Sequence, residues 1–252
     1  MQRYFIEISY NGGAYHGWQI QENALSIQEV LNYALQTVLR FPVETTGSGR
    51  TDTGVHAIQQ FVHFDSDVEL SYKTIQSLNA ILPHEIAVKA IYKVKSDANA
   101  RYHAISRTYQ YFIHFNKNPF LNDFSYQALL VPNLELMNEA CEILKTYSNF
   151  EAFSKNNTQI KTHICIIQRA IWTKTENGIM FEITADRFLR NMVRAIVGTM
   201  LQIGNGTTDF QSFKKIIENK SRAAAGFSVP ACGLFLTKVH YSDGYLDEVI
   251  SR

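Results

Sequence analysis

Long apolar runs are missing from this 252-residue chain: no stretch approaches the roughly 18 uninterrupted apolar residues that a membrane-spanning helix needs. Cysteine is scarce as well. Cys141, Cys165 and Cys232 are odd in number and far apart, and no CxxC or HxxxH spacing occurs. Neither a disulfide framework nor a metal site is supported, and three buried thiols are the expectation. A dominant charge is missing too, since 24 Lys and Arg against 23 Asp and Glu leave a net +1. A polyanionic partner would have to be held by a local basic surface and not by a global field. The start, Met1-Gln2-Arg3-Tyr4-Phe5-Ile6-Glu7, has no signal-peptide apolar region, so a cytoplasmic protein without a membrane partner is expected.

What is present is an ordinary globular composition, 46% hydrophobic and 19% charged, with enough length for one large domain or two of usual size. Phe5 to Tyr10 alternates apolar and polar side chains, as a half-buried strand does. Ser26-Ile27-Gln28-Glu29 reads as a capping box opening a helix to about Arg40, with Ile27, Val30, Leu31, Ala34, Leu35, Val38 and Leu39 on one apolar face. Runs near 43–47 and 58–64 read as a hairpin, followed by a helix over 71–82 and a strand over 86–94. The order is βαββαβ. It recurs with a strand at 107–115, a helix at 133–146, strands at 163–174 and 179–185, helices at 187–202 and 209–219, and a strand at 233–241. The fold class expected is therefore α/β, with two pseudo-repeated ferredoxin-like halves of antiparallel strands carrying helices on one face. The halves are placed at 1–100 and 101–252, since periodicity breaks near 96–106; one continuous domain is the alternative.

The segment with the most chemistry is Gly47-Ser48-Gly49-Arg50-Thr51-Asp52-Thr53-Gly54-Val55-His56-Ala57. Its three glycines permit positive φ angles and close approach of backbone to a ligand. Arg50 sets a phosphate-binding fork two residues from the Asp52 carboxylate. Read alone, the segment could equally be a tight hairpin whose Asp52 accepts backbone N–H groups. It is not a Walker A loop, which needs Lys where Arg50 stands, nor a dinucleotide fingerprint, because a strand and not a helix follows Gly54.

This segment resembles the G-x-G-R-T-D-x-G-V-H signature of the A-type tRNA pseudouridine synthases. Four further stretches resemble that family in order and spacing. They are Tyr10–Gln19 (YNGGAYHGWQ), Ala100–Tyr111 (ARYHAISRTYQY), Phe188–Gly198 (FLRNMVRAIVG) and Pro230–Leu236 (PACGLFL). Two positions depart from the usual pattern, Asn11 for Asp and His103 for Ser. Neither belongs to the implied catalytic set.

The resemblance implies two α/β halves sharing an antiparallel sheet with a basic cleft between them, a homodimer, and isomerisation of uridine at positions 38, 39 and 40 of the tRNA anticodon stem-loop. No metal or organic cofactor is implied. Asp52 matches the catalytic carboxylate, which attacks C1′ of the ribose or removes its 2′ proton. Tyr109 matches the aromatic that stacks on the target base, ahead of Tyr111. Arg194 matches the partner of Asp52, and a guanidinium beside a carboxylate favours its charged form. On the expected helix 187–202, Arg187, Arg190 and Asn191 share a face with Arg194. Arg50 is expected to hold the nucleotide after extrusion from the stack, a step costing a few kcal/mol. Arg107 is a candidate for substrate phosphate, as are Lys89, Lys93, Arg101, Lys214, Lys215, Lys220 and Arg222. His56 is expected to fix the loop and not to transfer protons. His16 and Trp18 read as packing residues or RNA contacts. The competing class is a non-catalytic tRNA-binding or tRNA-folding protein on the same scaffold, which would need no acidic nucleophile. A small-molecule nucleoside enzyme is a third, and would not need the scattered basic residues.

Overall fold

The alternation and helix patterns translate into ten strands and five α-helices in the computed structural model, which describes residues 1–155 and 161–250. In chain order these are β1 (Gln2–Tyr10), α1 (Ile27–Leu39), β2 (Thr46–Gly47), β3 (His56–Ser66), α2 (Tyr72–Ile81), β4 (Ile86–Val94) and β5 (Ser106–His114). Then come β6 (Tyr126–Gln127), α3 (Leu134–Lys145), β7 (Ile167–Thr175), β8 (Gly178–Ala185), α4 (Met192–Gly204), α5 (Phe210–Glu218), β9 (Leu234–His240) and β10 (Glu248–Ile250). The chain is a mixed α/β protein whose strands pair mostly antiparallel, in the class the pattern predicts. No helix among the described residues is long and apolar enough to cross a membrane.

Two compact units are found, one formed by Met1–Ser106 with Phe235–Arg252 and the other by Arg107–Leu234. In the first, strands run in the order β10-β4-β1-β3-β9, with β2 also on β3. β1 is antiparallel to both β3 and β4, so Phe5, Ile6 and Ile8 are fully buried. Phe5 breaks the simple inside-outside alternation for a physical reason. Its ring, on the opposite side of the strand from Ile6, is covered by Tyr241 and Tyr245 from the C-terminal segment. Helix α1 starts at Ser26, whose hydroxyl accepts the Glu29 N–H at 3.3 Å, and stops at Arg40 in the left-handed conformation (φ 63°). Its buried face is Ile27, Leu31, Ala34, Leu35 and Leu39; Val30 and Val38, expected on that face, lie at its half-exposed margin.

In the second unit β8 lies between β5 and β7, antiparallel to both. The core joins Trp172, stacked on Phe181 at 4.8 Å, to Met200 of α4, whose sulfur accepts the indole N–H at 3.2 Å. Burial pushes the Cys141 and Cys165 thiols up to about 12, as inert core groups. Cys232 departs from expectation in being only half-buried.

Helix α4 begins at Met192, not at the expected 187. Asn191 sits at φ 68°, which no right-handed helix accommodates, so the helix cannot extend back through it. Arg187, Arg190 and Asn191 therefore do not form one helical face with Arg194. They belong to the connection that leads into the helix.

Candidate active site

Asp52 lies in a loop held along two sides within the first unit. One side is β3: Phe61 O accepts the Ser48 N–H (2.7 Å) and Gln60 Nε2 donates to Gly49 O (2.9 Å). The other side is the segment after β1. Tyr10 and Thr51 share a hydroxyl–hydroxyl hydrogen bond of 2.9 Å, Trp18 N–H donates to Thr51 O (3.1 Å), and Gly54 N–H donates to Tyr15 O (3.3 Å). Gly17 is what lets the two backbones meet. It sits at φ +91°, and a Cβ there would fall 2.5 Å from Thr51 O. The Val55 N–H closes a turn onto Asp52 O (3.1 Å). Of the loop's own glycines, Gly47 packs against the Trp18 ring, where a Cβ would fall 2.7 Å away.

Exposure changes from residue to residue along this loop. Thr51 is buried, Asp52 half-buried and Arg50 exposed, so a carboxylate stands at the margin of the fold with a guanidinium further out. His56, which ends the loop, is buried; its Nδ1 accepts the Gly12 N–H at 3.1 Å and its ring stacks on Phe235 at 4.6 Å. The expected fixing role for His56 has that geometric basis.

Tyr109, Arg107 and Arg194 lie in the second unit. Tyr109 and Tyr111 occupy the same face of β5, two residues apart, but differ in their surroundings. Tyr111 is fully buried, donates its hydroxyl to Pro230 O (2.8 Å), and is pushed far above the ordinary phenol range by burial. Tyr109 is buried as well, at 9% exposure. Tyr109 meets the edge of Phe188 at 5.0 Å and 84°, a contact that fixes the ring plane. Phe188 lies within a sequence signature, but nothing in its spacing revealed this pairing.

Arg194 is half-buried in the first turn of α4 and donates Nε–H to Val229 O at 2.7 Å. That bond uses one of its five N–H donors and sets the plane of the fork. The carbonyl it uses belongs to a strap, 222–230, laid against α4. Gly226 N–H donates to the Thr199 hydroxyl (2.9 Å), and the Arg222 guanidinium donates to Gly226 O and Ser228 Oγ at 3.0 and 2.7 Å. The strap crosses the helix at Gly198, where a Cβ would fall 1.9 Å from Phe227 O.

Arg107 donates to Asp186 O (2.9 Å), tying the start of β5 to the end of β8. Asp186 Oδ1 accepts both the Ile166 and Arg187 N–H groups at 2.7 Å. Arg187 and Arg190 of the connection and Arg194 of α4 thus fall within eight residues, preceded by one carboxylate, Asp186, that accepts backbone hydrogen bonds, which makes the segment locally positive. Among the described residues no group of three or more His, Cys, Asp or Glu could hold a metal ion.

Comparison with known proteins adds an independent finding. A family model described as tRNA pseudouridine synthase matches residues 141–242. A tRNA pseudouridine synthase A from Bacteroides thetaiotaomicron is 47% identical over 252 residues, covering 98% of this chain and 94% of the relative. One from Bacteroides fragilis is 48% identical over 244 residues, covering 96% and 97%. A more distant one, from Francisella tularensis subsp. novicida, is 35% identical over 246 residues, covering 96% and 95%.

Proposed function

The chain belongs to the tRNA pseudouridine synthase A family of isomerases, and from that premise we propose that it converts uridine to pseudouridine at positions 38, 39 and 40 of the tRNA anticodon stem-loop. In this reaction the N1–C1′ bond breaks, the base turns over, and C5 is joined to C1′. The C5 proton leaves and N1 ends protonated.

Asp52 is assigned to the ribose, either as the nucleophile at C1′ or as the base that takes the 2′ proton. Both routes need an ionised carboxylate in a fixed place. The observation that carries the assignment is the double-sided brace on its loop, with Thr51 bonded to Tyr10 and Trp18. Arg194 is assigned to the Asp52 carboxylate, and the Val229 bond supports this by fixing the guanidinium plane. Tyr109 is assigned to stacking on the uracil, supported by its edge contact with Phe188. Arg50 and Arg107 are assigned to the extruded nucleotide and its phosphates. A homodimer acting in the cytoplasm belongs to the same reading, and sedimentation equilibrium tests the dimer.

Tritium release from tRNA carrying C5-labelled uridine in the anticodon arm tests the whole. Asp52→Asn should lower turnover by roughly 10²–10⁴-fold while tRNA binding persists. Turnover by Asp52→Asn near the wild-type rate would remove Asp52 from the chemistry.

A further inference from the structure

Outside the site described above, the first unit carries a turn whose backbone is bonded more thoroughly than its position requires. Asn99 Oδ1 accepts the Arg101 and Tyr102 N–H groups, both at 3.0 Å, and His103 N–H donates to Asn99 O at 3.1 Å. Asn99 N–H is shared between the Tyr245 hydroxyl (3.2 Å) and His103 Nδ1 (3.3 Å), which are themselves 2.6 Å apart. Ala100 is tied on both sides, its N–H to His63 Nδ1 (3.1 Å) and its carbonyl to the Tyr241 hydroxyl (2.6 Å). Tyr241 and Tyr245 stack on one another at 5.1 Å.

Of the aromatics around this turn, Tyr241 and Tyr245 are half-buried, and His103, though exposed, is bonded to the Tyr245 hydroxyl. Tyr102 is 75% exposed, and the Arg101 guanidinium lies over its ring, 5.5 Å from the centroid. A rigid backbone that holds an aromatic ring out in water gains no burial energy from that ring, and an exposed cation–π contact adds only about 0.5–1 kcal/mol. It does prepay the ordering entropy of a stacking contact. Unpaired RNA bases stack on exposed aromatic faces, while arginine beside them takes phosphate.

We propose that Arg101 and Tyr102 form a preformed tRNA contact. Tyr102 stacks on a base or ribose through the ring face turned away from Arg101, and Arg101 takes the neighbouring phosphate. The inference rests on the tRNA-modifying function proposed above. Its place in the fold makes it a binding contact and not a catalytic one. Ala100 is tied to His63, seven residues along β3 from His56 at the end of the Asp52 loop, a separation of about 23 Å at ~3.3 Å per residue. His103 supplies the imidazole that reaches the Tyr245 hydroxyl at 2.6 Å and completes the latch on this turn.

The test is binding of full-length unmodified tRNA transcript to the intact protein, with tritium release measured alongside. Tyr102→Ala should raise Kd about tenfold, while kcat at saturating tRNA stays within about twofold. Tyr102→Phe should bind within about twofold of wild type. Arg101→Gln should lower the slope of log K against log salt by roughly 0.7–0.9. Because Tyr102 is exposed, far-UV circular dichroism and the melting temperature should not move. A Tyr102→Ala protein that binds tRNA as tightly as wild type overturns the contact. If wild type itself releases no tritium, the proposed function fails, whatever the variants bind.

Discussion

His56 accepts the Gly12 backbone N–H on its Nδ1 at 3.1 Å, so the residue that ends the Asp52 loop also holds the segment that braces it. An imidazole accepting at Nδ1 is neutral there, with its proton on Nε2. The stack on Phe235 keeps the ring from swinging away. His56 is accordingly a positioning residue. His56→Ala leaves a buried N–H without its partner and should cost about 1–3 kcal/mol in urea unfolding. Turnover should fall at least roughly tenfold, with tRNA Kd little changed. His56→Asn, whose Oδ1 can take the place of Nδ1, should recover much of both losses. Equal turnover in His56→Ala and wild type would refute the brace.

Gly17→Ala and Gly49→Ala form a matched pair in and beside the same loop. The first puts a methyl 2.5 Å from Thr51 O at φ +91°, whereas a Cβ at Gly49 meets nothing within 4 Å. Gly17→Ala should lower stability by about 1–2 kcal/mol from the backbone conformation alone, and turnover with it. Gly49→Ala should stay close to wild type in both. Similar losses at the two glycines would mean that loop flexibility, and not the contact at Thr51, is what matters.

Arg194→Lys keeps the positive charge but loses the planar fork and the Nε–H bond to Val229 O. Turnover should drop by roughly tenfold or more, without a matching loss of tRNA binding. Near-normal turnover would show that charge alone suffices at this position.

Tyr109→Phe and Tyr109→Leu separate ring from hydroxyl. Phe retains the edge contact with Phe188. Full turnover in Tyr109→Phe together with a large loss in Tyr109→Leu would confine the residue to stacking. A large loss in both assigns chemistry to the hydroxyl.

His114 predicts a pH dependence of stability. The residue is buried, its Nδ1 is 3.0 Å from Ser125 Oγ, its Nε2 has no hydrogen-bond partner among the described residues, and burial lowers its affinity for a proton below the ordinary value. In the pH range between the folded and unfolded values the unfolded chain binds more protons, so stability rises with pH there. The contribution is complete above the ordinary histidine value of about 6.5 and is lost as pH falls through the depressed folded value. His63, also lowered by burial, adds in the same direction. Urea midpoints should therefore fall on acidification from about pH 7.5 to 5.5, and His114→Asn should flatten part of that slope.

Much of this was legible in the amino-acid pattern, and the remainder was hidden for identifiable reasons. The faces of α1 and β1 follow from period and alternation, because each is decided by neighbours within a turn or two. The start of α4 was not legible. Residues 187–191 continue an acceptable helical pattern, and only the left-handed Asn191 ends it. Phe5 was legible as a strand residue but not as one covered by Tyr241 and Tyr245, which lie more than two hundred residues away. At the candidate site, the motif singled out Asp52 as a candidate and left the support of its loop unread. The bond from Tyr10 to Thr51 and the packing of Gly17 on Thr51 depend on two distant loops meeting. A run of glycines suggests looseness until the partners on both sides are known. The parallel pairing of β9 with β3, at His56 with Phe235, is likewise decided by chain closure and not by local preference.

The crossing at Gly198 makes the aim of Arg194 depend on an atom that is not there. A single added methyl would lift the strap from the helix and carry the Val229 carbonyl with it, leaving every chemically reactive group in place and turning the guanidinium off its line. Under the role proposed for Arg194, replacing one hydrogen on buried Gly198 is enough to cost turnover while every residue that handles substrate stays intact.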